Sequence, residues 1–321
     1  MINILFTNAG RRTYLIKYAI DLIKNGYDLN IYVSDTSKYT ASFWVDSLVK
    51  RIITPKVKGN EKEYIKILKK ECIKNNIELI IPLMDYELPA LAKNVKKFKA
   101  IGITVVVSDY ELVNSLLNKK KTEQLCIKAG VNYPKTWYSI DEFDGNFPLI
   151  KKKIYGSGSV GLAIIRDKYQ LENFKEGEEI LQQFIKGQEY GIDIFNDLYG
   201  NFIHCCVKKK ILMRAGETDK AEVVNNKKYI SYAKKISKAF RHIGNLDVDF
   251  IEEKNGEVYF IDFNPRFGGL YPFSHLSGCN YLKILIDLYL NKNYQLPNKT
   301  KEISGMKGIT VYYFNKEITE K

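Results

Sequence analysis

Through the first 107 residues, short apolar runs alternate with stretches of helical period. This alternation restricts the fold more than any other feature of the chain. Ile2–Thr7 reads as a strand, and Asn8-Ala9-Gly10 turns it into a helix. On that helix Tyr14, Leu15, Tyr18, Ala19, Leu22 and Ile23 recur at helical spacing before Gly26 stops it. Further strands are expected at Leu29–Val33, Arg51–Thr54, Leu79–Ile81 and Thr104–Val107, and helices at Glu61–Asn75 and Leu88–Phe98. Repeated strand–helix–strand units close parallel pairs with right-handed crossovers, so this segment predicts an open, doubly wound parallel sheet. Ligands of such sheets lie at the carboxyl ends of the strands.

After Ser108-Asp109-Tyr110-Glu111, which reads as a capping box, the rhythm changes. A helix over Thr122–Ala129 ends at Gly130. Hairpin-like strands follow at Leu149–Lys153, Leu162–Ile165, Ile180–Gln183, Tyr190–Phe195 and Phe202–Val207. A helix near Tyr229–Phe240 precedes strands Leu246–Ile251 and Val258–Phe263, which Lys254-Asn255-Gly256 joins in a tight turn. This half is α+β. The expected division is an N-terminal α/β domain over 1–110, a two-lobed α+β domain over 111–295 with its hinge near 181–187, and a C-terminal extension over 296–321. The stretch Gly308-Ile309-Thr310-Val311-Tyr312-Tyr313-Phe314 is expected to add a terminal strand.

The 321 residues suffice for two or three lobes. No apolar run approaches the roughly 18 residues of a membrane span, and the N-terminus has no basic stretch or cleavage site, so a cytoplasmic chain without membrane attachment is expected. Cys72, Cys126, Cys205, Cys206 and Cys279 lack metal-ligand spacing and fit a reducing compartment. The net charge of +13 is spread over lysines along the whole chain without arginine–aromatic interleaving. Solvated helix faces and an anionic small-molecule site explain it better than nucleic acid does. A homodimer is one state open to the chain.

The chemistry gathers in two places. Gly156-Ser157-Gly158-Ser159-Val160-Gly161 lies between strands, whereas a dinucleotide fingerprint or P-loop needs a helix directly after it. A Gly/Ser loop between antiparallel strands can close over phosphates with its N–H groups, although a plain hairpin has the same composition. Lys152, on the strand leading in, offers a point charge for phosphates. Second, the turn at 254–256 brings Asp249 near Asp262, and alternation puts Asp262 and Asn264 on one face. Two carboxylates and an amide oxygen are hard ligands suited to Mg²⁺. Arg266, two positions on, can meet a transferring phosphoryl group bidentately.

Strand lysine, Gly/Ser loop and acidic-x-Asn-Pro-Arg together resemble the ATP-grasp superfamily. The resemblance extends to the ATP-grasp half of the carbamoyl-phosphate synthase large chain and its short stand-alone relatives, over about residues 1 to 290. It implies a pre-ATP-grasp N-terminal domain followed by an ATP-grasp fold that clamps ATP between two lobes. It implies nucleotide contacts at Lys119, Lys152, Gly156, Ser157, Gly158 and Ser159, a hinge at Gln182, Gln183, Phe184 and Ile185 meeting adenine, and Glu189 on the ribose. Asp249, Asp262 and Asn264 match its metal positions and Asn264 and Arg266 its transfer positions, while Arg214, with nearby Lys210, resembles the segment of short relatives that faces the transferred phosphate. The family's hinge glutamate is replaced by Gln183 and its motif glutamate by Asp262, and Lys153 stands where proline is usual.

For the remaining substrates, Arg11 and Arg12 follow the first strand where anions bind, and Asp85 and Glu87 follow the fourth strand. Arg11 and Arg12 suit an acidic substrate or, equally, a polar helix cap, and Asp85 and Glu87 could hold an amine or cap the next helix. His275, just after the Asn-Pro-Arg motif, is a further site candidate. The function implied is an ADP-forming carboxylate–amine ligase working with ATP and Mg²⁺ through an acyl phosphate, on a sugar acid or amino acid and an amine. Two rivals remain: a small-molecule kinase or carbamoyl-phosphate-type transfer, and a nucleotide-binding regulatory module.

Overall fold

The computed structural model describes residues 1–156, 161–214, 217–297, 300–308 and 310–312. The first strands are β1 (Ile2–Thr7), β2 (Leu29–Asp35), β3 (Val49–Ile53), β4 (Leu79–Pro82) and β5 (Thr104–Val105). They form a parallel sheet in the order β3-β2-β1-β4-β5. Helices α1 (Thr13–Lys24), α2 (Glu61–Lys74) and α3 (Leu88–Lys99) make the crossovers. Ile4 and Phe6 pack into the core on the α1 side, while Leu5 packs into the core that holds α2 and α3. Helices on both faces explain why β1 reads as an uninterrupted apolar run.

Helix α4 (Tyr110–Leu117) is capped by Asp109, whose carboxylate accepts from Leu112 N at 3.0 Å. The expected cap, Ser108, instead accepts from Ile243 N at 3.0 Å, because this buried hydroxyl faces the loop after a distant helix. Asn118 caps α5 (Lys119–Ala129), and Gly130 ends it in the left-handed conformation.

A small antiparallel sheet follows, in the order β6-β9-β7-β8, from β6 (Thr136–Trp137), β7 (Leu149–Lys153), β8 (Ala163–Ile165) and β9 (Glu179–Gln183). The large sheet contains β10 (Gly187–Asn196), β11 (Phe202–Arg214), β12 (Glu217–Val224), β13 (Asn245–Glu253), β14 (Val258–Asn264) and β15 (Ser304–Met306). Its order is β14-β13-β10-β11-β12-β15. The terminal strand is therefore Ser304–Met306, paired with β12, rather than the expected 308–314. Of that stretch, Ile309, Tyr313 and Phe314 lie outside the described residues, and the others are not strand.

Helix α6 (Lys227–Phe240) covers one face of the large sheet. The helices α7 (Tyr271–Leu276) and α8 (Tyr281–Tyr289) cover the other and return to α1. One apolar core thus runs from Ile4 and Phe6 through Tyr271 and Leu285 to Phe195 and Val223. Each such side chain fully buried stabilises the fold by about 1.5 to 3 kcal/mol. The parallel sheet is consequently fused to the large sheet and not hung from it. Among the described residues no helix is long and apolar enough to cross a membrane, and all five cysteines are free and buried.

Candidate active site

A cavity of about 510 Å³ opens between the two antiparallel sheets and runs to the carboxyl end of β4. Strand alternation supplies its floor: Asp247, Asp249 and Ile251 of β13 and Asp262 and Asn264 of β14 all line it. The ladder pairs Asp249 with Asp262 and Asp247 with Asn264, so four polar side chains occupy one square of the sheet. Asn264 Nδ2 donates to Asp262 Oδ2 at 3.1 Å.

Each floor carboxylate has a cationic partner. Lys119, at the start of α5, places Nζ 2.5 Å from Asp262 Oδ1. Burial alone would raise the Asp262 carboxyl, but Lys119 outweighs it and holds the group at about 2. Lys210 of β11 places Nζ 2.8 Å from Asp249 Oδ1 and 2.7 Å from Glu189 Oε1. Burial nevertheless pushes Asp249 up to about 7, against the pull of Lys210 and with the help of Asp247's charge. Lys152 of β7 faces them from the small sheet. Burial, and then the like charge of Lys119, lowers its ammonium to about 7. A buried lysine beside a second lysine is a site waiting for an anion.

At the other end stands Arg266, whose Nη2 donates to Asp85 Oδ2 at 2.8 Å and whose Nη1 donates to Asp247 Oδ2 at 3.2 Å. Burial works against its charge, but Asp85 and Asp247 outweigh burial and fix the guanidinium as a cation. Below it, Asp193 accepts from Lys208 Nζ and Ser274 Oγ, both at 2.6 Å, and from Asn245 Nδ2 at 2.9 Å. Asn245 also donates to the Arg266 carbonyl at 3.3 Å. Gly268 is required here, because a Cβ at this position would lie 2.0 Å from the Asp247 carboxylate.

The structure brings most of the expected residues together. Lys119, Lys152, Gly156, Gln182, Gln183, Phe184, Ile185, Glu189, Asp249, Asp262, Asn264, Arg266, Arg12 and Asp85 all line the cavity. Ser157, Gly158 and Ser159 lie outside the described residues. Four candidates fall elsewhere. Arg11 is exposed outside the lining, because the turn after β1 aims only Arg12 inward. Glu87 is fully buried and holds the fold: it accepts from Asn8 Nδ2 and Tyr64 OH at 2.7 Å and from the Leu83 and Met84 amides at 3.1 Å. His275 stacks on Tyr18 with ring centroids 3.5 Å apart, joining α7 to α1, and burial lowers its pKa to about 4. Arg214 is solvent-facing and pairs with Asp219 at 2.9 Å, since it sits where β11 leaves the cavity.

Asp247 was not expected from sequence as a site group, and Lys210 only as a neighbour of the Arg214 segment. Asp247 shares the period-two spacing of Asp249, which was the available signal. Lys210 sits among alternating lysines of β11, and nothing local separates it from Lys209.

Antiparallel sheets clamping a cavity floored by acidic-x-Asn-Pro-Arg define an ATP-grasp domain. Residues 116–270 match the family model of the ATP-grasp domain, and residues 4–106 match that of the PylC-like N-terminal domain. The chain therefore carries an ATP-grasp domain behind a PylC-like N-terminal domain. It is 22% identical over 227 residues to pyruvate carboxylase of Aspergillus niger, covering 61% of this chain and 19% of that protein. The chain thus spans a small part of that relative's length. L-amino acid ligase from Bacillus licheniformis superposes with a TM-score of 0.70 at 16% identity, over 89% of this chain and 73% of that one. The biotin carboxylase domain dimer of Hydrogenobacter thermophilus 2-oxoglutarate carboxylase, solved with MgADP, ADP and bicarbonate, superposes with a TM-score of 0.71 at 16% identity. That match covers 94% of this chain and 72% of the other. These superpositions establish a shared fold.

Proposed function

We propose that the chain is an ADP-forming carboxylate–amine ligase. The observation that carries this reading is the convergence of Lys119, Asp249, Asp262 and Asn264 with the facing Lys152 in a cavity whose far end holds Arg266. Adenine would lie along Gln182–Ile185, the ribose hydroxyls near Glu189, and the phosphates between Lys152 and the floor. Among the described residues no group of three or more His, Cys, Asp or Glu side chains is placed to hold a metal ion. The expected set is instead two carboxylates and an amide, Asp249, Asp262 and Asn264, whose hard oxygens on register-paired strands fit Mg²⁺. The chemistry that ion supplies when bound is neutralisation of phosphate charge.

A carboxylate oxygen of the acid attacks the γ-phosphorus in line, and the bond to the β,γ-bridging oxygen breaks, releasing ADP. The amine nitrogen then attacks the acyl carbon, phosphate departs, and the amine proton is given up to phosphate or solvent. Lys119 and Lys152 offset charge on the phosphates, and Arg266 supports the group in transit. Positioning by fixed charges is what such a transfer demands, and no covalent nucleophile enters.

The test is ADP release by the full chain with a panel of sugar acids and amino acids, each with and without an amine, and with amide detection by mass spectrometry. ADP formation that needs both acid and amine supports the ligase. A stable phosphorylated product formed without amine replaces it with the kinase reading. Tight ATP binding without turnover on any acid replaces it with a regulatory module.

A further inference from the structure

The cavity has a second charged end that the nucleotide does not account for. Arg12 lines it, anchored by Nε to the Leu83 carbonyl at 3.0 Å and by Nη1 near the Tyr14 hydroxyl at 3.3 Å. Asp85 and Asp247 line the same end and are only 5% and 8% exposed. Each uses Oδ2 on Arg266, and in each Oδ1 is shielded from water with no hydrogen-bond partner among the described residues. The C-terminal segment adds a cation. β15 pairs with β12, Lys307 N donates to the Asp219 carbonyl at 2.9 Å, and Lys307 Nζ comes within 3.8 Å of Glu217 Oε2. Gly269, which lines the cavity, lies beneath it, and a Cβ there would stand 3.5 Å from Lys307 Nζ.

Resting on the ligase reading, we propose that this end holds the amine substrate as a zwitterion, an α-amino acid. Its carboxylate would face Arg12 and Lys307, and its ammonium would face Asp85 and Asp247. The charge pattern selects this class. A simple amine leaves the Arg12 guanidinium without an anion, and a simple acid leaves the two carboxylates short of donors. Buried carboxylate oxygens without donors are costly, so a ligand N–H reaching them through a small turn of either side chain gains what the free protein lacks.

The experiment is calorimetry on the full chain with Mg²⁺ and saturating ADP, titrating glycine, L-alanine, L-serine, L-lysine and L-glutamate. The tightest of these is then compared with its decarboxylated amine and its deaminated acid. The expected result is that at least one amino acid binds, and that both truncated analogues bind at least tenfold more weakly. Arg12→Gln and Lys307→Gln, at a partly buried side chain, should each weaken the amino acid fivefold or more, with ADP affinity changed less than twofold. Thermal midpoints report whether each variant is folded, and Lys307→Gln keeps the test decisive if Arg12→Gln is not. ADP binding with no amino acid bound overturns this inference alone, as does a deaminated acid that binds as tightly as the amino acid. Amino acid binding without ADP binding upholds the subsite and overturns the nucleotide reading. Absence of both overturns both.

Discussion

Arg266 Nη2 and Asp85 Oδ2 meet at 2.8 Å across 181 residues of sequence, both side chains almost wholly buried. One belongs to the Asn-Pro-Arg motif and the other to the turn after β4. The parallel sheet therefore contributes directly to the group expected at the transferring phosphoryl. A guanidinium held by Asp85 on one side and Asp247 on the other cannot rotate away from the cavity without breaking charge-assisted bonds worth about 1.5 to 3 kcal/mol each.

Asp85→Asn tests that link. The amide oxygen can still accept from Arg266, but without the charge. Turnover should fall about tenfold or more, as expected for loosening one electrostatic stabiliser, while ADP affinity stays within about twofold. ADP release and nucleotide calorimetry measured side by side check this. An equal loss in both would assign Asp85 to general folding.

Lys152 gives a second prediction. Burial and the neighbouring Lys119 lower its ammonium to about 7, so near neutral pH many molecules carry it uncharged. Phosphate beside it favours the charged form and restores the proton. ATP binding measured at pH 8 should therefore take up close to one proton, seen as a binding enthalpy that varies with buffer ionisation enthalpy. Lys152→Ala should abolish the uptake and weaken ATP about tenfold to a hundredfold. Unchanged affinity with buffer-independent enthalpy would remove Lys152 from the phosphate site.

Much of this architecture was legible because it is local. The apolar run of β1 flanked by a helical period required a sheet covered on both faces, and the turn at 254–256 brought Asp249 near Asp262, although a bulge at Ile261 is what sets the two directly opposite. What remained hidden depends on distant partners. Asp85 and Glu87 are two residues apart and looked interchangeable. The fold sends Asp85 to Arg266 and buries Glu87 under Tyr64 and Asn8. His275 resembled a site residue by its position after the motif, but α7 docks it on Tyr18. Lys210 and Lys209 are adjacent lysines, and only the register of β11 decides which faces the cavity.

A third prediction concerns acid stability. His242 is fully buried, with Nε2 3.0 Å from the Ile194 carbonyl, and burial lowers its pKa to about 4. The unfolded chain protonates this ring near its ordinary value of about 6.5. As pH falls below that value the unfolded state takes up the proton first, so stability present above about 6.5 is lost progressively toward pH 4. Between pH 7.5 and 5 the loss from His242 should be about 2 kcal/mol, with His275 adding to it. Urea midpoints across this range check the slope, which should flatten in His242→Asn. A slope identical in the two proteins would contradict the assignment.

The final prediction separates chemistry from binding at Arg266. Arg266→Ala removes the cation and strands Asp85 and Asp247 as buried, unpaired carboxylates. Breaking a buried pair in this way costs about 3 to 5 kcal/mol, so that variant is expected to lose fold as well as function. Arg266→Lys is the informative change. It keeps the charge between the two carboxylates but cannot reproduce two donors in a planar fork. Its thermal midpoint should stay near that of the wild type, and its ADP affinity should change by less than about tenfold, because Arg266 stands at the far end of the cavity from Gln182–Ile185. Turnover should fall by roughly a hundredfold, the signature of an interaction made chiefly in the transition state. Single-turnover ADP formation with the acid identified by the substrate panel gives the rate of the phosphoryl step directly. If Arg266→Lys slows that step while leaving amide formation from a preformed acyl phosphate intact, the guanidinium acts on phosphoryl transfer. If the phosphoryl step is unchanged and only the second step slows, Arg266 serves the amine, and the assignment made from the Asn-Pro-Arg motif fails.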